Sequence, residues 1–284
     1  MKKILVTGGS GKAGRATIKK LLEKNYKVFN VDIESTSEFD VPFTRVDLEN
    51  FGETMEAITQ IDDRINGIDA IIHQAAIPAP GLYPNHKTFR VNTLSTYNVF
   101  QCAEIMKIKN IVWASSETVL GLPFDTYPPY VPVDEDYPPR PESSYSLSKV
   151  MGEELARQYC RRNKDMKIFG LRYSNIMEKK DYALFKDFQE DPYIRKWNFW
   201  GYIDSRDVGQ ACLLALESEL KGADNFTIAA DDTVMKKTNK ELLDTVFPNI
   251  KIKGDIKDHQ TLLSNSKAKK ILGFQPEYSW RNLV

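Results

Sequence analysis

Three glycines at three-residue spacing, Gly8, Gly11 and Gly14, follow a short apolar run, Lys3-Ile4-Leu5-Val6-Thr7, and constrain this chain more than any other feature. The run reads as a buried strand. Behind the glycines, Ala16, Ile18, Leu21 and Leu22 fall at helical spacing, which predicts an amphipathic helix with those four side chains facing inward. Strand, tight glycine turn and helix form the context in which a glycine loop cradles phosphate. Glycine permits the turn and lets the backbone approach a pyrophosphate, while the helix N-terminus offers free N–H groups and the positive end of a dipole. Gly8, Ser10, Gly11, Lys12, Ala13 and Gly14 are the expected contacts.

A second strand, Lys27 to Val31, ends at Asp32, 18 residues beyond Gly14. A carboxylate near that offset bonds the ribose hydroxyls of a dinucleotide and repels a 2′-phosphate, so NAD is expected over NADP. Lys12 is a nearby cation that keeps NADP open. Further strands are predicted at Phe43–Leu48, Asp69–His73, Asn110–Ser116 and Lys167–Arg172, alternating with helices at Phe51–Ile65, Lys87–Met106 and Ser205–Leu216. Such alternation specifies an α/β fold with a doubly wound parallel sheet. Ligands of that fold bind outside the carboxyl ends of the strands. Gly121 to Pro141 carries seven prolines and reads as an active-site rim.

In Tyr145-Ser146-Leu147-Ser148-Lys149, the phenol and the ammonium are one helical turn apart and share a face. Taken alone, the spacing also fits a solvated helix pair. Combined with the glycine loop and the Ser115-Ser116 strand end, it predicts acid–base chemistry, because a neighbouring cation favours the phenolate.

The composition sets outer limits. Thirty-nine basic and thirty-nine acidic residues leave no net charge and no basic stripe, which argues against a nucleic-acid partner. Cys102, Cys160 and Cys212 are odd in number and lie in apolar stretches, so they read as core residues of a reducing, cytoplasmic protein. No apolar run spans a bilayer, the first residues lead directly into a strand with no signal peptide, and His73, His86 and His259 have no metal-ligand spacing. Asp204, Arg206 and Asp207 read as a helix cap with an ion pair.

With these residues in place, the chain resembles the extended branch of the short-chain dehydrogenase/reductase family, which includes nucleotide-sugar epimerases and dehydratases and the hexuronate dehydrogenases. The resemblance covers residues 1 to 230. It rests on Gly8/Gly11/Gly14, Asp32, Val46-Asp47-Leu48, His73-Gln74-Ala75-Ala76, Asn92, Ser115-Ser116, Tyr145/Lys149 and Leu171-Arg172-Tyr173-Ser174-Asn175. It implies that Asp47 and Leu48 contact adenine, that Ala75 and Ala76 line the cofactor, and that Tyr173 lies near the nicotinamide. It places Asn92 among the cofactor contacts, in capping or in a structural or relay role near Tyr145. The family's catalytic hydroxyl stands five positions before a loop glycine. Counting back from Gly121 selects Ser116 over Ser115.

Substrate features depart from the nucleotide-sugar pattern. Asn175 is followed by Ile176-Met177-Glu178-Lys179-Lys180, and only 27 positions separate it from Tyr202. The arginine that touches the nucleotide in the family is replaced by Asn198-Phe199-Trp200. A shortened substrate lobe implies a smaller ligand, such as a free sugar, sugar acid or sugar phosphate. Arg195 and Lys196 are candidates to hold an anionic group, or they form an ordinary charged helix end. Trp197, Phe199, Trp200 and Tyr202 either stack on a sugar or fill the core.

The expected layout is a Rossmann domain over 1–175 and a small substrate lobe over 176–284, with 198–230 returning to the core. The expected function is an NAD-dependent oxidation of a sugar-type hydroxyl. Tyr145 is the base, Lys149 lowers its pKa and holds the nicotinamide ribose, and Ser116 aligns the reacting oxygen. Asn175, Arg195 and Trp200 join Ser116 in contacting the substrate. The alternative is a nucleotide-sugar 4-epimerase or dehydratase with tightly held NAD. A homodimer is also open, through Val99, Phe100 and Ala103 or Leu155, Ala156 and Tyr159, unless these are buried within one subunit.

Overall fold

Buried apolar strands and amphipathic helices alternate along the chain, and the computed structural model describes residues 1–59 and 67–282 of it. The order is β1 (Lys3–Thr7), α1 (Lys12–Glu23), β2 (Lys27–Asp32), β3 (Phe43–Arg45), α2 (Phe51–Thr59), β4 (Ala70–His73), α3 (Asn85–Ile105), β5 (Asn110–Ser116), α4 (Ser144–Arg162), β6 (Lys167–Tyr173), β7 (Ile176–Met177), β8 (Ile203–Asp204), α5 (Ser205–Glu217), β9 (Gly222–Ile228), α6 (Asn239–Val246) and α7 (Ser266–Leu272). Seven parallel strands form one sheet in the order β3-β2-β1-β4-β5-β6-β9, and β7 pairs with β8 in a separate two-stranded ladder. This is the doubly wound arrangement expected from the sequence.

The helices cover both faces of the sheet. On one side α1 packs against α5 over Ile4, Val6, Ile72, Val112 and Leu171; on the other, α3 packs against α4 over Leu5, Ile71, Ile111, Trp113 and Ile168. Burial of both faces explains why β1, β5 and β6 are predominantly apolar on both sides of the strand. Val99, Phe100, Ala103, Ala156 and Tyr159 lie inside this second layer, and Leu155 is packed against it. All but the partly buried Leu155 are thus enclosed within one subunit. Cys102, Cys160 and Cys212 are buried and unbridged.

Two details differ from expectation, and a third falls outside the described residues. β3 stops at Arg45, because the Asp47 N–H turns to the Glu53 carboxylate rather than to β2. Leu22 on α1 is exposed, while Ile18 and Leu21 are buried. The part of the expected Phe51–Ile65 helix beyond Thr59 lies outside the described residues. Asp204 caps α5 by accepting from the Arg206 N–H at 2.8 Å, and it also pairs with the Arg206 guanidinium at 2.8 Å.

A second apolar cluster lies beyond the carboxyl edge of the sheet. It gathers Leu122, Phe124, Val131 and Val133 of the proline-rich segment with Phe185, Phe199, Trp200, Tyr202, Leu242, Phe247 and Trp280. The proline-rich segment thus contributes mainly to the packing of this cluster, and only Leu122 and Pro123 of it line the cleft described below.

One buried ion pair ties β5 and β6 to α4. Glu153 accepts from Arg172 Nε and Nη2, both at 2.8 Å, and from Ser115 Oγ at 2.7 Å. A guanidinium in the core without its carboxylate keeps its desolvation cost and loses its compensation. Glu153→Ala is expected to lower unfolding free energy by about 3–5 kcal/mol, read from urea denaturation.

Candidate active site

The carboxyl ends of β1, β2, β4, β5 and β6 open into one cleft of about 1110 Å³. Its glycine end is shaped by atoms too close to admit a side chain. Gly8 has φ +68°, and a Cβ there would lie 2.4 Å from the Ala75 nitrogen. At Gly14 a Cβ would lie 2.1 Å from the Gly8 carbonyl, so the first turn of α1 sits directly on the loop. That space is a cradle open to a pyrophosphate and closed to a methyl group. Ser10, Gly11, Lys12 and Ala13 line it. The Ser10 N–H donates to Asp32 Oδ2 at 3.0 Å, which fixes the carboxylate at the end of β2 inside the cleft. Lys12 Nζ is held by Asp181 at 2.6 Å. Asp47, Leu48, Ala75 and Ala76 form adjoining walls. These residues fit a dinucleotide: a glycine cradle for its phosphates, a carboxylate for a ribose and an apolar wall for its base.

At the other end the sheet register sets Ser116 of β5 beside Tyr173 of β6. Ser116 Oγ accepts from the Thr118 N–H at 3.2 Å as the chain leaves the strand. Tyr145 begins the first turn of α4, which Ser143 caps by accepting from the Ser146 N–H at 3.0 Å. The Tyr145 phenol is buried and hydrogen-bonded to Ser116. Lys149 lies one turn on, its Nζ 5.6 Å from the centre of the Tyr145 ring and donating to the Ala114 carbonyl at 2.7 Å. Ser116, Tyr145, Lys149, Tyr173 and Asn175 all line the cleft.

The electrostatics differ from the expectation that Lys149 lowers the phenol. Burial pushes Tyr145 up to about 12, and the nearby Glu117 charge acts in the same direction against the Ser116 hydrogen bond. Burial draws Lys149 down to about 8. Desolvation of the buried phenol is the largest influence on it. His73 is drawn down to about 3 by burial and then by Lys149, so its ring is neutral; its nitrogens bond Thr7 at 2.7 Å and Thr96 at 3.3 Å. It is structural.

Three expected site residues lie elsewhere. Asn92 is buried in the second turn of α3, where its side chain accepts from the Ile77 N–H at 2.8 Å and donates to the Ile77 carbonyl at 3.1 Å. Its amide is consumed in holding the loop after β4, leaving nothing for a cofactor or a helix cap. Trp200 is fully buried, donating to the Pro192 carbonyl at 2.7 Å from within the second apolar cluster. Arg195 is buried beneath the cleft, donating to the Gly201 carbonyl at 2.8 Å with its guanidinium over the Phe188 and Trp197 rings. Neither reaches a ligand. Lys196 faces Asp125 at 3.6 Å. Of the four aromatic residues considered, Trp197 alone lines the cleft, while Phe199, Trp200 and Tyr202 are core. The Tyr173 ring is in the wall, but its hydroxyl pairs with Cys212 Sγ at 3.0 Å, away from the cleft.

Glu117, Glu142, Ser143 and Ser174 also line the reaction end and were missed from sequence. Glu117 follows Ser116 directly, yet a carboxylate just past a strand end reads as a solvent-facing residue.

Comparison with known proteins agrees with this arrangement. A putative UDP-glucose 4-epimerase of Methanocaldococcus jannaschii is 33% identical over 63% of this chain and 57% of its own length. The chain thus spans little more than half of that relative. An L-arabinose 1-dehydrogenase (NAD(P)(+)) of Haloferax volcanii is 28% identical over 84% of this chain and 92% of its own. Among solved structures, a short-chain dehydrogenase/reductase superfamily protein of Agrobacterium tumefaciens with bound NAD aligns with a TM-score of 0.75 at 24% identity, over 99% of this chain and 94% of the other. At that identity the likeness bears on fold. A family model matches residues 4–229, and with it the chain belongs to the NAD dependent epimerase/dehydratase family, in the extended branch of the short-chain dehydrogenases/reductases.

Proposed function

We propose that this protein is an NAD-dependent sugar oxidoreductase that oxidises a sugar hydroxyl to a carbonyl. The observation that carries the reading is the shared cleft, with Ser116, Tyr145 and Lys149 at one end and the glycine cradle with Asp32 at the other. Gly8, Ser10, Gly11, Lys12, Ala13 and Gly14 hold the pyrophosphate, Asp32 a ribose, Asp47 and Leu48 the adenine, and Ala75, Ala76 and Tyr173 the walls. NAD, when bound, supplies a hydride acceptor and a positively charged ring. Tyr145, as phenolate, takes the proton from the substrate hydroxyl. Ser116 bonds the reacting oxygen and aligns it, which is positioning rather than covalent catalysis. Lys149 contributes charge beside the phenol and a donor toward the cofactor. Asn175 faces the substrate.

The near full-length match to the H. volcanii L-arabinose 1-dehydrogenase supports a small sugar as substrate. A second reading, a 4-epimerase with tightly held NAD, draws on the M. jannaschii relative. NADH absorbance separates the two. The oxidoreductase accumulates NADH in proportion to oxidised sugar. An epimerase keeps its NAD through purification and shows no net NADH while interconverting a nucleotide sugar, and that outcome would overturn the first reading.

A further inference from the structure

We propose that Glu117 is a specificity-determining residue, whose carboxyl on the floor of the reaction end selects an uncharged sugar and excludes sugar acids and sugar phosphates. The inference rests on the oxidoreductase reading above and narrows its substrate class.

Glu117 is 3% exposed, yet it lines the cleft, directly after Ser116 and close enough to Tyr145 to act on its charge. A carboxylate so deep is costly unless donors surround it. Ser174 Oγ donates to Oε2 at 2.6 Å and Asn198 Nδ2 donates to Oε1 at 3.1 Å. Arg195 lies close enough to interact by charge, though its Nη2 is committed to the Gly201 carbonyl. Burial still holds Glu117 up at about 7, above the usual carboxylate range.

This environment is maintained against backbone strain. Phe199 and Trp200, both bulky, adopt left-handed φ values of +51° and +57°. Such conformations persist only where the surroundings over-determine them. The turn they make brings Asn198 and Arg195 together beneath Glu117, with the Trp200 N–H donating to the Arg195 carbonyl at 3.0 Å and the Gly201 N–H to the Asn198 carbonyl at 3.0 Å.

The remaining charges of the cleft offer no welcome to an anion. Among the described lining residues the only cations are Lys12, held by Asp181, and Lys149, held by Ala114 and buried beside Tyr145. At the rim, Arg140 pairs with Glu142 at 2.6 Å and Lys196 faces Asp125 at 3.6 Å. A carboxylate or phosphate on the substrate would meet the Glu117 carboxylate, while Glu142 is already paired with Arg140 and the lining ammonium at this end, Lys149, is tethered to the Ala114 carbonyl. A neutral polyol instead finds acceptors for its hydroxyls in Glu117, Ser174 and Asn175, and a ring to stack on in Trp197.

The test is NADH formation at about pH 9, above the value of about 7 at which Glu117 ionises, by the full chain with NAD and matched substrates: arabinose, galactose and glucose against galacturonate, glucuronate and glucose 6-phosphate. The wild type is expected to favour the neutral sugar by at least about 100-fold in kcat/KM, since like charges brought together in a binding site cost several kcal/mol. Glu117→Gln, which keeps the shape and removes the charge, is expected to narrow that ratio at least about tenfold with NAD affinity unchanged. A wild type that prefers the acid or the phosphate overturns the inference and leaves the oxidoreductase reading intact. A ratio unmoved in Glu117→Gln also overturns it. If that variant does not fold, the wild-type ratio decides alone. Absence of NADH with every sugar overturns both.

Discussion

Replacing Tyr145 with phenylalanine is expected to lower kcat by roughly 10²–10⁴-fold, the range assigned to a lost general base, with NAD affinity within a few-fold of wild type. The substitution removes one oxygen from a buried ring that keeps its place in the first turn of α4, so the cleft is preserved and the proton acceptor is lost. Lys149 is tethered at the Ala114 carbonyl with its Nζ 5.6 Å from the Tyr145 ring centre, so it does not replace an oxygen at the phenol's position. Ser116 cannot either, since its hydroxyl already accepts from both the Thr118 N–H and the Thr118 hydroxyl. Steady-state kinetics with a productive sugar, alongside an NAD titration, check both halves. Near-normal turnover would remove Tyr145 from the reaction.

The second large effect is at the opposite end. Gly14→Ala drives a methyl group to 2.1 Å from the Gly8 carbonyl and 2.5 Å from Gly9 Cα, both backbone atoms that cannot rotate away. The loop must then separate from α1, and the phosphate cradle goes with it. Loss of stability by about 1–3 kcal/mol, the usual cost of overpacking, and loss of NAD binding by at least about 100-fold are expected from thermal melts and calorimetric titration. Gly11→Ala is the internal contrast. Its Cβ would come no closer than 3.4 Å to the Gly8 carbonyl, at an ordinary negative φ, so its stability is expected to hold within about 0.5 kcal/mol.

Much of this was legible in the residues. β1, β5 and β6 announce themselves because a parallel sheet covered on both faces demands apolar side chains along most of each strand. The glycine loop is legible because few other sequences tolerate the approach of Gly14 to Gly8. Less legible was what each polar or aromatic residue faces. Trp200 and Arg195 look like ligand-binding residues in one dimension, but the left-handed turn at Phe199 and Trp200 directs them into the second apolar cluster and under Glu117. No local pattern predicts two bulky residues in that conformation. Asn92 sits at a position the family resemblance assigns to the cofactor region, yet its amide serves the Ile77 backbone. Glu117 was invisible for the converse reason: a charged residue after a strand is normally solvated, and its burial depends on Ser174 and Asn198 from distant segments. The sign of the Tyr145 shift failed on the same ground. Sequence places an ammonium one turn away and does not reveal that the phenol is buried near the Glu117 charge.

That shift makes the account directly measurable. Burial and Glu117 hold the phenol at about 12, far from a working base. Its use as a base requires a further positive charge at the reaction end, and oxidised NAD carries one on its ring. The decisive measurement is the tyrosinate absorbance difference between wild type and Tyr145→Phe, titrated with and without NAD. One phenol should ionise with a midpoint below about pH 9 when NAD is present and only toward about 12 when it is absent. A midpoint unmoved by NAD, or a signal that persists in Tyr145→Phe, would contradict the claim that this tyrosine is the base.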